Sequence, residues 1–133
     1  MKKIVMALSA SALLLATAGA AFAHHSGAMF DATKEVDIQG TVKEFQYTNP
    51  HSWLIVNVPD ASGKVTEWGF EAEGPSTLLR AGIKKSSLMP GEKVTVKGHP
   101  LKDGRPGANL MLITKADGTQ LSPRGAPAPK PAG

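Results

Sequence analysis

Histidine is the residue type in this sequence that is best suited to chemistry. The chain has four histidines and no cysteine. The lack of cysteine excludes a disulfide framework, a zinc site with thiolate ligands and a cysteine nucleophile. Imidazole nitrogens bind copper and zinc well, so a metal site in this chain would be built from its histidines. The candidate metal ligands are His24, His25, His51 and His99.

The first 23 residues have the pattern of a secretory signal peptide. Lys2 and Lys3 form a positive start, an apolar stretch follows from Ile4 to Ala18, and Ala21-Phe22-Ala23 matches a peptidase cleavage site. The apolar stretch is short for a membrane-spanning helix, which needs about 20 residues. We therefore expect cleavage after Ala23, export to the periplasm and no transmembrane anchor in the mature protein.

Cleavage at this position would make His24 the first residue of the mature chain. A free α-amine and the ring Nδ1 atom of the same histidine can chelate one metal ion, and His25 can add a second imidazole, which suits copper. The alternative is that this end is a solvated terminus that scavenges Cu(II) without a biological role.

The rest of the chain predicts a β-rich domain. Apolar and polar residues alternate from Val36 to Val42, and the alternation changes phase near Lys43-Glu44. A β-bulge at this point would explain the change. Thr48-Asn49-Pro50 is a turn signal, and it places His51 at the corner between the first two strands.

The order of the predicted elements indicates the fold class. Three strands, one short helix at Gly74–Gly82 and two further strands are typical of an OB-like barrel. We predict an all-β, mainly antiparallel, five-stranded barrel with the helix between strands three and four. Residues 24–121 would form this single domain, with a short edge strand at Thr119 to Leu121. Residues 122–133 are rich in Pro, Ala and Gly and are predicted to be a disordered tail.

In this fold the loops after strands one and four flank the same side of the binding face. His51 ends the first loop and His99 begins the second. The segment from His24 to Glu35 could reach roughly 40 Å when extended, enough to run back to these loops. The histidines could therefore converge on one copper or zinc ion. Alternatively, His51 fixes its turn by a hydrogen bond, and His99 is an exposed strand end.

Two other classes of function remain open. Tyr47, Trp53 and Trp68 could form a surface that binds a small ligand or an envelope protein without metal, although core packing explains the tryptophans more simply. An enzyme is less favoured, because Glu71 and Glu73 read as surface carboxylates and no nucleophile with an ordered base is visible. Two of the lysines behind the net charge of +4 belong to the predicted signal, and no basic stripe predicts nucleic-acid binding.

The motifs also carry a family resemblance. They are His24-His25-Ser26, Thr48-Asn49-Pro50-His51-Ser52-Trp53, Trp68-Gly69-Phe70-Glu71, Gly74-Pro75, Ser87-Leu88-Met89-Pro90-Gly91-Glu92 and Val94-Thr95-Val96-Lys97-Gly98. Together they resemble a family of small exported bacterial proteins catalogued as domain of unknown function 6152. The resemblance covers nearly all of the mature chain except the tail. It implies export and one β-rich domain, and it supplies no activity or cofactor.

Overall fold

A computed structural model describes residues 27–124 of the protein. The predicted signal peptide, with His24 and His25, and the last nine residues lie outside the described residues. The strands are β1 Val36–Gln46, β2 Trp53–Pro59, β3 Val65–Glu71, β4 Lys93–Pro100, β5 Gly107–Lys115 and β6 Gln120–Leu121, and the one α-helix described is α1 Pro75–Arg80. Two short 3-10 helices cover Gly27–Met29 and Lys85–Ser87.

The first strand is long and contributes to both sides of the barrel. Its first part, from Val36 to Thr41, pairs with β4, and its second part, up to Gln46, pairs with β2. The register with β2 shifts between Val42 and Glu44, which confirms the bulge predicted from the change of apolar phase. A Cβ atom on Gly40 would lie 2.4 Å from the Asn57 carbonyl oxygen, so only glycine lets β1 and β2 approach this closely.

The strands close into a barrel. The order in the sheet is β3-β2-β1-β4-β5-β6, and β3 also pairs with β5. The β3–β5 pairing is parallel and joins Gly69 to Gly107, whereas the other neighbours are antiparallel. Five strands with α1 between β3 and β4 therefore form the predicted barrel, and β6 extends β5 at one edge.

The core fills the inside of this barrel. Leu54, Val56 and Phe70 are completely buried on the inner face of the β2–β3 hairpin. Leu78, Ile83 and Leu88 cover one end from the segment that links β3 to β4. Leu79, the neighbour of Leu78 in α1, is exposed, because successive helical residues point about 100° apart.

The segment before β1 is tied to the loop between β4 and β5. Phe30 forms an isolated β-bridge with Leu101, and the backbone N–H of Asp31 donates to the Pro100 carbonyl oxygen at 2.8 Å. The Lys102 N–H donates to the Met29 carbonyl oxygen at 2.9 Å. Residues 27–31 thus lie beside this loop. Within residues 27–124, no helix has the length and apolar character needed to cross a membrane.

Candidate functional site

Hydrogen bonds hold the corner between β1 and β2. Asn49-Pro50 is a cis peptide bond, and Ser52 is completely buried. The Ser52 hydroxyl lies within hydrogen-bond distance of the Thr48 backbone, and the Ser52 N–H donates to the Glu73 carbonyl oxygen at 3.2 Å. These bonds join the corner to the end of β3 and fix the backbone on both sides of His51.

His51 is oriented by a buried carboxylate. Its Nδ1 atom lies 2.5 Å from the Oε1 atom of Glu71, whose side chain is only 8% exposed, whereas the His51 side chain is 41% exposed. An ionised carboxylate only accepts hydrogen bonds, so Nδ1 carries the proton. In the neutral ring, Nε2 then keeps its lone pair and is available to bind a metal ion or a proton.

His99 is oriented in the same sense by a different acceptor. Its Nδ1 atom lies 2.8 Å from the carbonyl oxygen of Lys34. A carbonyl oxygen also only accepts, so the proton is again on Nδ1 and the lone pair on Nε2. Asp31 helps to shape the turn that presents this carbonyl. Hydrogen bonds from the Thr33 hydroxyl and backbone, together with Lys34, hold the pKa of the Asp31 carboxyl below its usual value.

The strand register relates the two histidines. His99 pairs with Asn109, Asn109 with Glu71 and Glu71 with Trp53, so these residues form one row across β4, β5, β3 and β2. Side chains alternate along a strand, and the adjacent row contains the buried Leu54, Phe70 and Ala108, so the row with Glu71 lies on the outer face.

The described histidines share this face without forming a complete site. Two strand spacings separate the Cα atoms of His99 and Glu71, a distance of roughly 10 Å. In residues 27–124, no three side chains of His, Asp and Glu are grouped so that they could hold a metal ion. A metal site on this face would therefore need ligands from outside the described residues. The chain that leads to His24 and His25 enters at Gly27, two residues from the contact between Met29 and Lys102.

The three aromatic candidates do not form one surface. Trp53 lies on the outer face, where its ring is 3.8 Å from the position that a Cβ atom on Gly69 would take. Trp68 lies on the inner face, with its ring stacked on Phe70 at a centroid distance of 6.0 Å. The Tyr47 hydroxyl lies 3.0 Å from the Pro75 carbonyl oxygen and ties β1 to α1. Trp53 is therefore the candidate that is placed to contact a ligand beside His51.

The pairing of His51 with a carboxylate could also serve acid–base chemistry. A nucleophile would have to lie within hydrogen-bond reach of the imidazole. Ser52, the adjacent hydroxyl in sequence, instead lies 3.4 Å from the Thr48 carbonyl oxygen, to which it donates. The arrangement around His51 thus resembles the carboxylate–histidine pairs that orient metal ligands.

Sequence reasoning missed the role of Glu71. The sequence predicts a surface carboxylate at this position, whereas the structure buries it against His51. The turn between β2 and β3 carries a signal for this contact. Counting outward from the turn pairs Trp53 with Glu71, and His51 lies two residues before Trp53. This count places the carboxylate within reach of the corner histidine.

Comparison with known proteins gives a family and no activity. A family of unknown function (DUF6152) matches residues 11–109. No curated protein and no solved structure matches the chain.

Proposed function

The chain belongs to this family of unknown function, and we propose that it is an exported binding protein of the cell envelope that holds a copper ion, with zinc as the alternative metal. The proposed ligands are the α-amine and ring of His24, the ring of His25, and at least one of His51 and His99. The protein binds its metal and does not catalyse a reaction.

The orientation of His51 carries the proposal. Its Nδ1 atom lies 2.5 Å from the buried Glu71 carboxylate, so Nε2 is the nitrogen of this 41% exposed side chain that would bind the metal. Metal-ligating histidines usually donate their other ring N–H to a carboxylate or a backbone carbonyl, because this fixes the tautomer and raises the basicity of the ligand. His99 has the second of these arrangements through Lys34.

The position of residues 29–31 supports a role for the N-terminus in binding the metal. Residues 29–31 are bonded to Pro100–Lys102, next to His99. The three residues from His24 to Ser26 can extend roughly 10 Å from Gly27. This reach supports a shared site with His99.

Calorimetric titration with Cu(II) tests the proposal. The protein is exported through its own signal, and native mass spectrometry verifies that it begins at His24 and reports any metal that it carries. Insertion of Gly-Pro between Ala23 and His24 keeps every imidazole but separates the amine from the histidine ring. The proline has no amide N–H, so the new terminus cannot form an amine–amide–imidazole chelate of its own. We expect this insertion, and His51→Ala, each to weaken binding at least tenfold, or about 1.4 kcal/mol.

The His51 and His99 variants distinguish a metal site that includes the barrel from a histidine terminus that only scavenges Cu(II). If His51→Ala and His99→Ala both bind Cu(II) as the native protein does, the barrel contributes no ligand and the metal proposal fails. A mature chain that begins beyond His25 would likewise remove the amine chelate.

The second candidate is a metal-free module that binds a small ligand or an envelope protein on the outer face. The position of Trp53 favours it, because this half-buried ring lies next to His51 and over Gly69, which has no side chain. Such a module would be stabilised by its ligand to the same extent with and without a chelator.

A further inference from the structure

A groove lies along the edge of β1 that faces away from β2. The pairing of β1 with β4 ends at Thr41. Val42 then exchanges backbone hydrogen bonds with Gly91 and Glu92, both at 2.8 Å. Beyond this point, no strand in residues 27–124 pairs with this edge, and residues 84–90 stand opposite it across a groove of about 850 Å³.

The groove is held open by contacts at its ends. At one end, the bonds from Val42 fix the turn at Gly91. At the other end, the Tyr47 hydroxyl lies 2.9 Å from the Ile83 carbonyl oxygen. Between them, Leu88 is anchored in the core, and the Lys115 ammonium donates to the Ser87 carbonyl oxygen at 2.9 Å. These contacts join the two walls and set their separation.

The walls of the groove have an apolar base, and their rim carries two lysines and one carboxylate, that of Glu44, which accepts a hydrogen bond from Gln46. Phe45 and Tyr47 project to the same side of β1, since side chains alternate along a strand. The opposite wall adds apolar side chains, among them Met89, which is 52% exposed. Lys84 and Lys85 are exposed, and neither forms an ion pair in the part of the chain that the structure describes.

We propose that this groove receives an extended acidic peptide of a partner protein, which adds a strand along the open edge from Glu44 to Tyr47, the residue that follows β1. An open strand edge offers N–H and C=O groups at the spacing of another strand, so main-chain hydrogen bonds supply affinity. Alternate side chains of the peptide would contact Phe45 and Tyr47, and its carboxylates would meet Lys84 and Lys85. This proposal is independent of the metal site.

The composition of the chain's own tail argues against it as the occupant. Residues 125–133 contain three prolines, which lack the N–H that a paired strand donates. Their one charged side chain is Lys130, which Lys84 and Lys85 would repel. A separate acidic peptide can donate the backbone N–H groups that a paired strand needs, and its charge is opposite to that of the two lysines.

The test uses an acetylated and amidated heptapeptide in which Glu and Val alternate. Titration into the ¹⁵N-labelled protein should shift the backbone amides of Phe45 and Tyr47 and leave the Trp53 indole unchanged. The double variant Lys84→Glu/Lys85→Glu should weaken binding at least tenfold. The matched control, Lys64→Glu/Lys102→Glu, makes the same change of net charge on other loops and should stay within threefold.

Two N-methylated peptides test the pairing itself. One carries methyl groups on the Val nitrogens and the other on the Glu nitrogens. Because only alternate N–H groups of an added strand face its neighbour, one peptide should lose binding at least tenfold and the other should retain it. Equal binding of both, shifts at Trp53 instead of Phe45, or no binding at millimolar peptide would overturn the proposal. A dimer of the protein alone that Lys84→Glu/Lys85→Glu dissociates would identify a second copy as the occupant and would also overturn it.

Discussion

The Nδ1 atom of His51 is hydrogen-bonded to the carboxylate of Glu71, which is almost completely buried. This contact joins the β1–β2 corner to β3 and determines which nitrogen of His51 faces solvent. The imidazole therefore presents one defined nitrogen on a rigid base. Such preorganisation distinguishes a ligand in a built site from a histidine on a mobile loop.

Glu71→Gln tests whether this carboxylate supports metal binding. The substitution keeps the size of the side chain but removes the carboxylate charge beside the Nδ1 atom of His51. We expect the Cu(II) affinity to fall by about 10- to 100-fold, as measured by calorimetry, with a change in the His51 ring tautomer measured by ¹⁵N NMR. Glu73→Gln, two residues further along, is the control and should change neither. An unchanged affinity in a folded Glu71→Gln protein would contradict the supporting role.

Two tryptophans on opposite faces should differ in their effect on stability. Trp68 packs against the core beside Phe70, whereas Trp53 lies on the outer face. We expect Trp68→Ala to lower the free energy of unfolding by about 3 kcal/mol and Trp53→Ala by about 1 kcal/mol, because the former leaves a cavity. Urea denaturation measures both values. A loss below about 1 kcal/mol for Trp68→Ala would be inconsistent with this packing.

The crossing of β1 and β2 at Gly40 should not tolerate a side chain. In Gly40→Ala the new Cβ atom would lie 2.4 Å from the Asn57 carbonyl oxygen and 2.6 Å from Val56. We expect a loss of about 3 kcal/mol in the free energy of unfolding, since backbone must move. Gly69→Ala is the control, because its Cβ atom would meet the Trp53 ring at an ordinary 3.8 Å. Equal stability of the two variants would mean that the strands can separate without cost.

Glu92 should make the stability of the barrel depend on pH. Its carboxylate accepts the Met89 N–H and pairs with the Lys115 ammonium at 2.9 Å, and these contacts, the Met89 bond first, hold its pKa below the usual 4.5. A lowered pKa in the folded state gives stability that is present above pH 4.5 and is lost as the pH falls through the folded pKa.

The variant Glu92→Gln isolates this contribution. At pH 7 it should lower the free energy of unfolding by about 1 kcal/mol, and the difference from the native protein should vanish near pH 2. Thermal or urea denaturation across this range measures the difference. Glu67→Gln, which removes an exposed pair with Lys43, should change the stability by less than about 0.5 kcal/mol at either pH. A difference for Glu92→Gln that persists at low pH would show that ionisation is not its cause.

The fold could be predicted largely because its signals are local. The change of apolar phase beside Lys43 marked the bulge, and Gly82, which adopts a φ of +79°, marked the end of the helical segment. The register shift between Lys97 and Gly98 had no such signal, because Gly98 is required by its close approach to the Asn109 backbone on the neighbouring strand. That contact depends on tertiary structure.

The candidate site was less predictable for the same reason. The sequence predicts His51 at the β1–β2 corner, as the structure has it. It also predicts that His99 begins the following loop, which is wrong, because β4 runs on to Pro100 and His99 is paired with Asn109. The hydrogen-bond partners of their Nδ1 atoms, Glu71 and Lys34, come from distant parts of the chain. The burial of Glu71 also depends on neighbouring strands, so its residue type alone suggested solvent exposure.

The double pairing of β1 also sets the order in which the protein can fold. The second part of β1 can form a local hairpin with β2, but the first part must wait for β4. Thr41 and Lys93, for example, meet across 52 positions of sequence. Loop closure over such a separation costs entropy before any contact compensates for it. We therefore expect the barrel to close on the slow scale of β proteins, in milliseconds to seconds, with the docking of β4 on Val36–Thr41 as the step that completes it.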